Sequence, residues 1–214
     1  MRGRLDSRLQ RIERRLVKMA MAVESAIGKS MESLMTNDDQ LAIEVIEKDS
    51  TIDHLELDLE KSCVSLIALE QPIASDLRVV TGTLKIITDL ERIGDYAVNI
   101  AKTQITIPKD ISHHSESLYE ISKVLQVMVQ RSIDAFVEKD AQMARETALM
   151  DMEVDEKYDS VYLEYLHQLM EGSVAVEEVV PLILVGRYLE RMGDHITNIC
   201  ERIIYMVEGV REIY

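Results

Sequence analysis

The chain has 214 residues and a net charge of −15; 47% of it is hydrophobic, with one Phe and no Trp. A core of that composition is built from Leu, Ile, Val, Met and Ala; eight Gly and three Pro are few for a β-sandwich, and good helix formers dominate. The acidic balance argues against nucleic acid as a partner, because phosphates would be repelled, and no apolar run approaches the roughly 20 residues of a membrane-spanning helix.

The charge is uneven. Residues 1–18 carry seven Lys or Arg against Asp6 and Glu13, a net of +5, which leaves −20 for the rest. Such a basic helical start could meet anionic lipid or an acidic partner, or offset acidic neighbours within the fold. Glu13, Arg14 and Arg15 interrupt it as a signal segment.

Leu5, Leu9, Ile12, Leu16, Met19, Val23, Ile27, Met31 and Leu34 recur at spacings of four and three, which predicts one long bundle helix. Thr36-Asn37-Asp38-Asp39 ends it and caps a second helix running to Glu70, with a break expected near Asp49. Gln71-Pro72 marks a turn, because the residue before a proline resists helix. Ser75 is the expected cap of a third helix that ends near Thr103, ahead of a linker at 106–110. The pattern then restarts near Ser115. Asp38, Gln40, Ala42, Glu44, Asp49 and Asp53 find identical residues 102 positions later, at Asp140, Gln142, Ala144, Glu146, Asp151 and Asp155. Glu171-Gly172-Ser173 is the second turn, and LERIGDYAVNI (90–100) returns as LERMGDHITNI (189–199). The implied class is all-α: two tandem three-helix bundles, 1–106 and 111–214, related by an internal pseudo-two-fold repeat. Gly82 and Pro181, each nine residues before the repeated glutamate, predict a kink at one height in both repeats.

In an antiparallel hairpin, residues at equal height are centred on the turn. Asp53 with Glu91, and Asp49 with Asp95, are both centred on Pro72; Asp155 with Glu190, and Asp151 with Asp194, are centred between Gly172 and Ser173. Each hairpin should therefore turn two pairs of carboxylates, spaced four apart on their helices, toward each other. Four such groups repel unless a cation joins them, and an all-oxygen set favours magnesium, calcium, manganese or iron. Asn99 and Asn198 lie on the same stripes and could add carbonyl ligands. Arg92 and Arg191 are the intramolecular competitors, and a solvated acidic face is the plain alternative. Gly94 and Gly193 weaken their helices, which points to close approach of a neighbour.

Other signals are weaker. Cys63 and Cys200 read as small buried hydrophobes, His113-His114 as a solvated loop pair, and His54 and His195 point away from the carboxylate stripe. Glu164 and His167 form a single ExxH where a di-iron bundle would use two. No HExxH, P-loop or GxSxG is present.

QPIASDLRVVTGTLKIITDLERIGDYAVNIA (71–101), its later echo and the two-fold repeat closely resemble the PhoU family of phosphate-uptake regulators. The resemblance spans nearly the whole chain. It implies two three-helix bundles, a cytoplasmic location, homodimers and no enzymatic activity. It also implies a role in restraining the phosphate-starvation response, by coupling the ATPase of the phosphate ABC importer to a sensor histidine kinase. Any membrane association would then be peripheral, through those partners. Some members of the family bind metal clusters through E(D)xxxD pairs, which here are Asp49, Asp53, Glu91, Asp95, Asp151, Asp155, Glu190 and Asp194. The second repeat lacks a counterpart of the PxAxDLR at 72–78, so a partner contact by Arg78 would be made once. The residues alone leave open a dinuclear-metal carboxylate enzyme and a purely structural helical module.

Overall fold

The structure, a computed structural model, describes residues 2–107 and 116–214; His113-His114, Ser115 and most of the expected linker lie outside that range. Seven helices and no strand occur among the described residues. The first repeat is α1 (Arg2–Thr36), α2 (Asp39–Glu70) and α3 (Ala74–Thr106). The second is α4 (Glu116–Glu138), α5 (Ala141–Leu149), α6 (Asp151–Glu171) and α7 (Val176–Glu208).

The helix starts follow local chemistry. Asp38 accepts from the backbone N–H groups of Gln40 and Leu41, and its repeat mate Asp140 accepts from Met143. The residue before each cap, Asn37 or Lys139, takes a left-handed φ of 53° or 55°. Gly172 ends α6 at φ 68°, where a side chain would be strained. Two expectations are corrected. α2 runs unbroken through Asp49; the interruption falls in the second repeat, at Met150, so that Asp151 opens α6. Ser75 is not the cap of α3, which begins at Ala74 after Ile73 with no side-chain cap bond. Gly82 and Pro181 lie inside α3 and α7 without ending either helix.

Within each repeat the helices pack as up-and-down neighbours, and across the repeats α1 meets α4 while α3 lies along α7. One continuous buried cluster draws side chains from all seven helices, among them Leu16, Leu59, Leu90, Leu125, Ala144, Val154 and Leu189. Fully burying an aliphatic side chain of this kind contributes about 1.5–3 kcal/mol before entropy is counted. Cys63 and Cys200 are buried free thiols within that cluster.

The repeat is visible in contacts. Ser30 and Ser132, 102 positions apart, are both fully buried and donate their hydroxyls to the oxygens of Ile27 and Val129. Between the repeats, Gln126 donates to the backbone oxygen of its own repeat mate, Glu24, at 3.3 Å. Asp89 Oδ1 lies 2.9 Å from Nδ1 of His195. Adding the 99-residue offset of α3 and α7 turns that pair into Tyr188 and Tyr96, whose rings stack at 5.9 Å. A pseudo-two-fold axis therefore passes between α3 and α7.

Candidate functional site

The turn at Gln71–Ile73 sends α3 back along α2, and the turn after Gly172 sends α7 back along α6. This register brings the eight expected carboxylates to two equivalent places. Burial is the same in both: Asp49 and Asp151, Glu91 and Glu190, and Asp95 and Asp194 are half-buried, whereas Asp53 and Asp155 are exposed.

The carboxylates of each hairpin feel one another. Burial, then Asp95, pushes Glu91 up to about 7, with Glu56 and Asp53 adding to the rise against the pull of Arg92. Burial raises Asp49, helped by Asp53 and Asp95. In the second hairpin, burial and then Asp155 push Asp151 up to about 6, despite the hydrogen bond that Thr197 donates at 3.1 Å. Asp155 and Glu190 are raised by burial and then by Asp194. The pairs predicted to face each other across each hairpin thus raise one another's affinity for protons.

Arginines hold part of this charge. Arg92 lies 3.5 Å from Glu91 and 3.2 Å from Asp95; Arg191 lies 3.8 Å from Glu190 and 3.5 Å from Asp194. Arg187, one turn earlier, reaches Glu190 at 2.9 Å. Among the described residues, Asp151 Oδ1 and Glu190 Oε2 are buried without a hydrogen bond, although Arg191 Nε lies 3.8 Å from the latter. Among the described residues, no three carboxylates are gathered closely enough to enclose an ion. The carboxylate oxygens are donors of the type a hard cation takes. A full coordination shell requires side chains to turn away from Arg92 and Arg191.

The glycines explain how the helices come so near. A Cβ at Gly193 would overlap Asp151 Oδ1, so the carboxylate occupies the space a side chain would need. At Gly94 the nearest obstacle is Ile52 Cδ1 at 3.1 Å, with Asp49 Oδ1 at 3.9 Å.

Asn198 lines a cavity of about 290 Å³ with Asp151, Asp194, His195, Glu201 and Tyr214, whereas Asn99 is half-buried one turn beyond Asp95. His54 turns Nδ1 to the backbone oxygen of Ser50, and His195 gives Nδ1 to Asp89. His167 lies exposed beside Glu171, and its ExxH belongs to neither hairpin cluster. Three participants were not singled out from the sequence. Glu56 is three residues after Asp53 and joins the first cluster; Thr197 is three residues after Asp194 and bonds Asp151; Arg187 is three residues before Glu190. Helical spacing from the named carboxylates would have found each of them. Arg78, proposed as a partner contact, has its guanidinium against Gly209, and its Nε is buried without a hydrogen bond.

The family model described as PhoU domain matches residues 16–103 and again 118–203. A phosphate-specific transport system accessory protein PhoU homolog of Clostridium acetobutylicum is 36% identical over 207 residues, covering 95% of this chain and 94% of that protein. One from Aquifex aeolicus is also 36% identical, over 96% of this chain and 94% of its own length. The crystal structure of PhoU from Pseudomonas aeruginosa has a TM-score of 0.87 at 34% identity, covering 96% of this chain and 99% of that one. The phosphate transport system regulatory protein PhoU from Streptococcus pneumoniae reaches 0.92 at 27% identity, over 98% and 100%. The two family matches fall on the two repeats, and the chain belongs to the PhoU family.

Proposed function

We propose that the protein is a non-enzymatic regulator of phosphate uptake, an adaptor that couples the phosphate ABC importer to a sensor histidine kinase and restrains the phosphate-starvation response when phosphate is plentiful. The observation that carries this reading is the end-to-end correspondence with proteins named as accessory to the phosphate-specific transport system. No helix among the described residues is long and apolar enough to cross a membrane. Deleting the gene should derepress phosphate uptake in phosphate-rich medium. Unchanged uptake and unchanged starvation transcription would remove the reading. Arg78→Glu tests the single PxAxDLR segment: if the importer ATPase and the kinase are still captured undiminished, that segment lies outside the interface.

The carboxylate hairpins are the proposed cation sites. Asp49, Asp53, Glu91 and Asp95 would hold one ion or cluster, and Asp151, Asp155, Glu190 and Asp194 another. Magnesium, manganese, calcium and iron are the candidates that suit oxygen donors. A bound cation would supply charge neutralisation, fixing each hairpin in one arrangement. Elemental analysis of protein purified without chelator should find up to two sites. Glu91→Ala with Asp95→Ala should empty the first and spare the second. In excess chelator the same double variant should be no less stable than wild type, because like-charge repulsion is relieved; a loss there would make these residues structural partners of Arg92 instead. The protein is also proposed to be a homodimer, which light scattering of the purified chain tests directly.

A further inference from the structure

The basic start of the chain is not spread over a convex surface. Arg4, Arg8, Arg11 and Arg15, spaced four, three and four apart, form one stripe of α1 that faces Lys61 across a groove of about 460 Å³ between α1 and α2. Asp58 is the groove's one lining carboxylate; Asp6 and Glu13 of α1 do not line it. Arg4 and Arg8 hold the buried carboxylate of Glu70, each at 3.2 Å, at one end. Arg15 donates to Ser62 at 3.4 Å. Arg11 and Lys61 have no ion-pair partner among the described residues, and the hydroxyls of Ser7 and Ser65 also line the groove. In a chain of net charge −15, this places unneutralised cations side by side, where they repel unless an anion joins them.

We propose that this groove binds a small polyanion carrying two or more linked phosphoryl groups. Guanidinium forks and hydroxyl donors match phosphoryl oxygens. One cation per helical turn, about 5.4 Å, reads a row of charges, not a point charge. From Arg4 to Arg15 the axis spans about 16 Å. The volume lies within the usual range of small-ligand sites, about 300–1,000 Å³, and a lipid surface would meet a convex face. The site is on the other flank of α2 from the carboxylate hairpin and stands without the adaptor reading.

Calorimetric titration of metal-free, full-length protein tests it, with tripolyphosphate as probe, orthophosphate and citrate as comparison anions, and phosphatidylcholine vesicles with or without phosphatidylglycerol as the lipid arm. Tripolyphosphate should bind at least about tenfold tighter than either comparison anion, a gap of about 1.4 kcal/mol. Arg11→Glu with Lys61→Glu should weaken it by at least that factor. Lys85→Glu with Lys123→Glu, which changes net charge equally, should not. Arg11→Gln with Lys61→Gln removes charge without reversing it and serves if the reversed variant fails to fold. Equal affinity for all three anions, or equal losses in both charge-reversed variants, would reduce the groove to a diffuse field and overturn the proposal. So would binding to phosphatidylglycerol vesicles that tripolyphosphate does not displace.

Discussion

Glu91 and Asp151 protonate in the native state at a higher pH than in an unfolded chain, about 7 against 4.5 for one and about 6 against 3.8 for the other. The folded protein therefore binds more protons than the unfolded one across that window. The stability this provides is complete below the unfolded value and is lost as pH rises through the native one. In chelator, the melting temperature should fall between pH 4.5 and 7, and Glu91→Gln should flatten part of the slope. Adding magnesium or manganese at pH 7 should restore what was lost, because a ligand of the native state alone stabilises it. Glu44, held down at about 2 by its bonds to Lys29 and Lys48, acts in the opposite sense below pH 4.5 and does not mask the effect. The two site glycines should also differ. Gly193→Ala puts a methyl group into Asp151 and should destabilise by about 1–3 kcal/mol. Gly94→Ala presses on the buried Ile52 side chain by only a few tenths of an ångström, and the helix-propensity gain of about 1 kcal/mol offsets it. Chemical denaturation of the two variants checks the contrast. Glu56 shows why reading by repeats is incomplete: its mate 102 positions on is Tyr158, so a search for duplicated carboxylates passes over it.

The helices themselves were largely legible, because a 3.6-residue apolar period and the Asp38 and Asp140 caps act locally. The hairpin register was legible for the same reason: once Pro72 and Gly172 fix the turns, antiparallel packing decides which carboxylates meet. The interruption at Met150 was not, since no glycine or proline marks it and Ala148, Leu149 and Met150 are good helix formers. Nor was the seam between α3 and α7, which joins residues of different hairpins. That seam carries its own expectation. Asp89→Ala would leave the half-buried His195 without its partner and should cost about 1 kcal/mol, measured as a shift in urea midpoint at constant m-value.

Across the molecule, the main buried cluster joins what the sequence presents as two units. α1 rests on α4 and α3 on α7, and the side chain of Met206 on α7 fills the space over Gly82 on α3. Residues 1–107 expressed alone should therefore expose the apolar faces of α1 and α3 and self-associate or aggregate. Adding residues 116–214 in trans should recover a one-to-one complex on a sizing column. A stable monomeric half would mean that each repeat closes its own core.

The seam of α3 and α7 also bears on ancestry. Two identical half-length chains meeting on a true two-fold axis must make the same contact twice, because one gene writes both sides. Fusion removes that constraint, and here one of the two mirrored contacts is a carboxylate on an imidazole while the other is a pair of stacked tyrosines. Two first halves would set Asp89 against Tyr96, and two second halves would set Tyr188 against His195. Neither pairing reproduces the native contacts, so the two sides of this seam are no longer copies of one another.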